Sequence, residues 1–232
     1  MTGAPTRAAS PPSEVAARYL EALYYIRAEG MSARPARLAQ WLGVSRPTVT
    51  LALRRLARDG LLRLEASKEI ELTPRGASEA AALVRRHRIT ERWLTDHVGL
   101  DWVAADEEAA RLEHAISETV VGRLYELLGR PLTCPHGNPI PGHSEQDPDE
   151  IRLSQIPSGQ TVRLTRISEV AEREVPLLLG QLLERRLVPG AVLEVGEHGA
   201  ERLALLVEGR RTQVTLETAE RIWAVPYSTP AS

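Results

Sequence analysis

Phenylalanine is absent from the 232 residues, and cysteine occurs once, at Cys134. A single cysteine excludes an internal disulfide and fits a reducing compartment. Without phenylalanine, the aromatic platforms that stack single-stranded bases are a poor expectation. No apolar run approaches the ~18 residues that a membrane helix needs. Met1 to Ser13 is Ala, Pro, Thr and Ser without an apolar centre, so it is not a secretory signal; it reads as a disordered arm. Lysine is nearly missing too. Lys68 is the only one among 29 basic residues, a usage expected of a GC-rich genome. Nor does one sign of charge prevail: 29 Lys and Arg face 31 Asp and Glu, a formal net of −2.

Taken whole, that sum speaks against a nucleic-acid partner. It conceals an asymmetry. Met1 to Val98 holds 16 basic and 10 acidic residues, net +6, whereas Gly99 to Ser232 holds 13 and 21, net −8. Between Met31 and Arg92 the ratio is 13 to 6. A basic half is joined to an acidic half.

Apolar spacing predicts a helix over 14–29, ended by Gly30, and a second over 35–42. A tight turn at Gly43-Val44-Ser45 leads to a third helix over 46–59, with Ser45 as its cap and Pro47 in its first turn. Leu61 to Leu64 and Glu69 to Leu72 alternate across a polar turn and predict a hairpin. Long helices follow over 74–97 and 106–129. Residues 131–148 form a Pro/Gly-rich loop that holds Cys134, His136 and His143. From Thr161 to Trp223, short strands with Gly turns and one helix (175–186) suggest a small barrel. The fold expected is mainly α with small β. Its divisions are an arm (1–13), a winged helix-turn-helix (14–73), a helical dimerisation and metal-binding domain (74–130), a loop and linker (131–160) and the barrel (161–225).

Helix, sharp turn, helix, hairpin is the winged helix-turn-helix order, in which the second helix of the motif enters the major groove by its N-terminal end. Here that end is Ser45, Arg46, Pro47, Thr48 and Thr50. The short hydroxyl side chains suit phosphates, base edges and thymine methyls, and Arg46 suits guanine or phosphate. Arg34, Arg37, Arg54, Arg55, Arg58 and the wing-tip Lys68 are candidate backbone contacts. The blander alternative is a solvated three-helix unit in which Ser and Thr only cap helices.

A second constellation is rich in metal ligands. His87 and Glu91 share a helix face; Asp106, Glu113 and His114 lie on the next helix, with Asp106 and Glu113 seven apart. Clusters of His and carboxylate between helices are how bundles build metal sites. The alternative is an ordinary helix-face pair. A hydrolytic metalloenzyme is disfavoured, because neither an HExxH helix nor a GxSxG elbow occurs.

The chain resembles the DtxR/MntR family of iron- and manganese-dependent transcriptional repressors. The resemblance is carried by ARLAQWLGVSRPTVTLALRRLARDGLL, ELTPRG, VRRHRITERWLTDHVGL, RLEHAIS, CPHGNPIPG and RRLVPGAVLEV, in the family's order from about Val15 to Trp223. It implies a winged helix, a helical dimerisation and metal-binding domain and a FeoA-like barrel. It also implies a cytoplasmic, non-enzymatic homodimer. Loaded with Mn(II), or alternatively Fe(II), the dimer would bind palindromic operator DNA and repress metal-transport genes. A metal-independent winged-helix repressor is a further alternative. By the resemblance, His87, Glu91, Glu113 and His114 fall on ligand positions, and Glu21 on a glutamate ligand of manganese-selective members. Cys134 and His136 fall on a metal pair completed by Glu91 and a barrel carboxylate, here Glu172 or Glu174. Two departures stand out. Arg18 and Ala110 occupy positions where the family has ligands, so either Glu14, Asp106 or Glu107 compensates, or the Cys134/His136/Glu91 site is the primary sensor. His143 is expected to be no ligand.

Overall fold

The computed structural model describes residues 13–67, 69–175 and 177–227. These fall into two compact units that divide between Leu83 and Val84.

The first unit is built from α1 (Glu14–Ala28), α2 (Pro35–Leu42), α3 (Arg46–Arg58), β1 (Leu62–Leu64), β2 (Ile70–Leu72) and the start of α4 (Pro74–Trp93). Ser13 caps α1 through a hydrogen bond from the Ala16 N–H. Gly43, at φ 64°, ends α2 in the left-handed conformation that lets the chain turn directly into α3. Ser45 then caps α3 by accepting from the Thr48 N–H, as its sequence position predicts. The buried faces of the three helices (Leu20, Leu23 and Ile26; Leu38; Val49, Leu53 and Leu56) meet in one core with Leu62 and Ile70 of the hairpin. The hairpin pairs Leu62 with Leu72 and Leu64 with Ile70. Gly76 is required where α4 crosses the strand entry, because a Cβ there would lie 1.8 Å from the Leu61 carbonyl oxygen.

The second unit begins within α4, which passes into a π-type turn at Leu94–Val98. It continues through α5 (Trp102–Leu112) and α6 (Glu118–Leu127). The single helix expected over 106–129 is therefore two. Glu113 to Ser117 break it, and Ser117 caps α6 by accepting from the Val120 N–H. Periodicity hid the break because it stays in phase. Ile116, in the turn, still packs against the cluster of Ile89, Val121 and Ile140.

The sheet that follows contains β3 (Ile151–Arg152), β4 (Thr161–Ile167), β5 (Val192–His198), β6 (Arg202–Val207), β7 (Arg210–Thr215) and β8 (Ile222–Pro226). Its order is β3-β8-β4-β5-β6-β7, every neighbour antiparallel. The sheet starts earlier than Thr161, since β3 pairs with β8 from within the expected linker. The helix expected over 175–186 is α8 (Leu178–Glu184), and a short α7 (Glu169–Glu174) precedes it. A one-turn α9 (Leu216–Ala219) follows β7. Alternating residues Val162 and Leu164 of β4, Leu193 and Val195 of β5, and Leu203 and Leu205 of β6 point into one core with Leu178 and Leu182 of α8. Trp102 of α5 belongs to the same core.

Candidate metal centre and nucleic-acid interface

His87 and Glu91 lie one turn apart on α4, as their spacing predicts, yet the structure gives them to different clusters. His87 is buried with its ring between two carboxylates. Its Nδ1 is 2.8 Å from Glu113 Oε2, and its Nε2 is 3.2 Å from Asp106 Oδ1. Burial opposes charge on this imidazole. The hydrogen bonds to Asp106 and Glu113 and their negative charges outweigh it and hold His87 well above its ordinary pKa. Because the carboxylates meet opposite edges of the ring, this arrangement is a charged triad. His114 sits in the turn after α5, its Nε2 3.5 Å from Glu113 Oε1. Arg18 is exposed, and Ala110 contributes no donor; among the described residues the gathered ligand set is Glu91, Cys134 and His136. Glu21 lies half-buried on α1 in the first unit.

The triad has a pH signature. A raised folded-state pKa contributes stability fully present below the unfolded value, about 6.5 for histidine, and lost as pH rises through the folded value. Metal-free protein should therefore melt at lower temperature as pH rises from 6.5 toward 8, and His87→Gln should flatten that slope. A wild-type melting temperature that rises across this window would contradict the assignment. The Cys134 thiol adds a loss of the same sign only above about 8.5.

Glu91, Cys134 and His136 form the other cluster. All three are buried, and one donor atom from each lies within 4.8 Å of the others. His136 Nδ1 is 2.6 Å from Glu91 Oε1. Burial, then the Glu91 charge, pushes the Cys134 thiol up, partly offset by its hydrogen bond with His136. The loop that presents the pair is closed on itself. Cys134 N–H donates to the Asn138 carbonyl, and Gly137 N–H to the Cys134 carbonyl. Its outer edge abuts β4, where Ile167 N–H donates to the His136 carbonyl and Asn138 Nδ2 to the Ile167 carbonyl. Gly137 has φ 84°, and a Cβ there would lie 1.9 Å from the Thr165 carbonyl oxygen, so only glycine fits. Trp102 stacks on the His136 ring at 5.0 Å and 18°. A thiol, an imidazole and a carboxylate converging in a dry place suit a divalent transition metal.

Of the carboxylates expected from the C-terminal domain, the side chains of Glu172 and Glu174 lie outside the described residues. Glu169, one helical turn earlier, was not among the candidates. It grips Arg88 in a bidentate pair, Nε to Oε1 at 3.0 Å and Nη2 to Oε2 at 2.6 Å. Arg88 also donates to the Pro139 carbonyl, so one guanidinium joins α4, the Cys134 loop and α7. The Glu169 charge reaches Cys134 and further raises its thiol. Ser168, which caps α7, was the signal in the sequence that could have announced this helix. His143 stacks on Tyr125 at 3.8 Å and takes no place in the donor set.

The first unit presents the nucleic-acid candidates. Over residues 1–83, 12 Lys and Arg stand against 8 Asp and Glu, net +4. Arg46, Pro47, Thr48, Thr50, Arg54, Arg55 and Arg58 are exposed along α3. The Ser45 and Thr48 hydroxyls share a 2.8 Å contact, and the Thr50 hydroxyl donates to the Arg46 carbonyl, so the capping role is real. Arg34 donates to Ser32 and Arg37 to the Met31 sulfur. Lys68 lies outside the described residues. Part of the basic excess counted from Met31 to Arg92 is spent elsewhere. Arg85 and Arg86 pair with Glu118, Arg88 with Glu169 and Arg92 with Asp96.

Three family models match consecutive stretches. Residues 13–70 match the iron dependent repressor N-terminal DNA binding domain, and 73–142 the iron dependent repressor metal binding and dimerisation domain. Residues 151–226 match the FeoA domain. The iron-dependent repressor IdeR of Mycobacterium leprae (strain TN) is 36% identical over 209 residues, which cover 85% of this chain and 90% of that protein. The diphtheria toxin repressor of Corynebacterium diphtheriae is 34% identical over 186 residues, 76% of this chain and 82% of that protein. Among solved structures, a manganese-dependent transcriptional repressor in complex with manganese superposes with a TM-score of 0.80 at 29% identity, covering 91% of this chain and 100% of the other. IdeR of T. acidophilum gives 0.76 at 26% identity, covering 94% and 100%.

Proposed function

The chain belongs to the iron-dependent repressor family, and from that premise we propose that it is a metal-responsive repressor, binding palindromic operator DNA as a homodimer when loaded with Mn(II) or Fe(II). The observation that carries this reading is the buried convergence of Glu91, Cys134 and His136. Mn(II) is the first assignment, on the carboxylate and imidazole donors. The Cys134 thiol favours Fe(II) as the second, since thiolate ligands suit the later, softer metals.

Glu91, Cys134 and His136 would hold the ion, which when bound supplies a dication that neutralises the carboxylate and thiolate and ties their segments together. The chain's own residues prepare that event. Trp102 orients the His136 ring, Arg88 holds the loop through Pro139, and Gly137 lets the loop lie against β4. Before an ion is bound, the raised Cys134 thiol keeps its proton and Glu91 Oε1 lies 2.6 Å from His136 Nδ1. Uptake must displace that proton, so affinity should rise with pH. The ion shifts the DNA-binding equilibrium only by its differential affinity for the two states.

The homodimer draws support from α6 and its exit, which leave Val120, Leu127 and Leu132 exposed together with most of one helix face. The proposed role is binding, not catalysis, and the proposed location is the cytoplasm. No helix among the described residues is long and apolar enough to cross a membrane. The test is one titration of DNA binding against Mn, Fe, Co, Zn and chelator at a stated salt concentration. The expected result is tight binding with Mn or Fe and its loss in chelator. Binding indifferent to chelator would overturn the reading and favour a metal-independent repressor.

A further inference from the structure

Leu51 is 67% exposed at the middle of α3, on the helix side opposite the buried Val49, Leu53 and Leu56. At 3.6 residues per turn it shares that outer side with Pro47 one turn before it, Arg54 and Arg55 one turn after it, and Arg58 two turns on. A lone surface leucine is ordinary in itself. This one occupies the centre of the basic face of the DNA-binding domain, where the surrounding exposed residues are Arg46, Thr48, Thr50 and Arg54. The hydroxyls of Ser45, Thr48 and Thr50 are engaged in local hydrogen bonds, as described above, so they present fewer free donors to base edges than the sequence implies. An apolar side chain cannot bond to phosphate or to a polar base edge. In a major groove the one apolar group it can meet is the thymine 5-methyl.

We propose that Leu51 is a specificity-determining residue that reads a thymine methyl in each half-site, with the flanking arginines supplying backbone affinity. The proposal rests on the DNA-binding reading above and adds the base that this helix selects. Pro47, one turn earlier on the same side, extends the apolar surface toward the helix N-terminus, the end that enters the groove.

The experiment selects duplexes from a random library with Mn-loaded full-length protein, then repeats the selection with Leu51→Ala. In the selected duplex each thymine is replaced in turn by deoxyuridine, which lacks only the methyl. The wild type should lose about 4-fold per half-site at one symmetric position, the value of one buried methyl-sized group. Leu51→Ala should lose that sensitivity and relax its consensus there. Because Leu51 is exposed, melting temperature should not change, and the salt dependence of binding should keep its slope, since no phosphate contact is removed. A library from which wild type enriches nothing, with Mn or with Fe, would sink the DNA-binding reading itself. Enrichment with identical consensus and identical deoxyuridine sensitivity in wild type and Leu51→Ala would overturn the Leu51 assignment alone.

Discussion

Cys134→Ala is expected to abolish metal-dependent DNA binding at metal concentrations that saturate the wild type, whereas His143→Ala is expected to leave it intact. Both residues sit in the same Pro/Gly-rich loop, and composition alone does not separate them. Geometry does. The Cys134 thiol lies with Glu91 and His136 in a buried donor set, while His143 stacks on Tyr125. Loss of groups that merely orient a ligand costs about 10- to 100-fold in metal affinity, so loss of a ligand should cost at least that. Removing Cys134 also takes away the group whose proton opposes uptake at neutral pH. The remaining affinity of Cys134→Ala should therefore depend less steeply on pH than that of the wild type. Competition against a chelator of known affinity gives the metal constants, and a gel shift gives the DNA readout. Equal losses in the two variants, or a larger loss in His143→Ala, would show that the site is elsewhere.

The contrast shows where sequence reasoning succeeds. Elements with strong local signals emerged nearly whole: α2 at Pro35–Leu42, and α3 with its Ser45 cap and early proline. Those signals are contained within a few residues. The break between α5 and α6 was invisible because an apolar stripe can remain in phase through a turn, and only the cap at Ser117 marks it. Donor types were legible, but their partition was not. His87 and Glu91 share a face, yet what each meets is decided by α5 for one and by the Cys134 loop for the other. Charge was legible only as a sum. Arg88 counts with the basic half in sequence, but its side chain is 2% exposed and spent on Glu169, 81 residues away. A contact of that range leaves no local periodicity to read. Glu169 itself was missed because α7 is only six residues long, too short for a helical pattern.

That buried pair carries the largest expected effect on stability. Glu169→Ala would leave the Arg88 guanidinium in the interior without its carboxylate, the situation that costs about 3–5 kcal/mol. Arg88 would keep its bond to the Pro139 carbonyl, which places the loss nearer the lower end of that range. For a protein of this size, 1 kcal/mol moves the melting temperature by about 2–4 °C, so a fall of roughly 6–12 °C is expected. The double variant Arg88→Met with Glu169→Leu removes both charges and fills the space with apolar atoms. It should recover most of the lost stability, because a buried ion pair and well-packed hydrophobes of like volume differ little. Calorimetry on the metal-free proteins measures both. A Glu169→Ala variant that melts within 2 °C of the wild type would show that the pair is solvated and replaceable. Stability and response should then part company. Methionine cannot hold the Pro139 carbonyl, so the double variant should regain its melting temperature while its Cys134 loop stays loosely held. Its metal affinity should fall by about 10-fold or more, as for other losses of groups that orient ligands. Full recovery of both would mean that Arg88 serves packing alone.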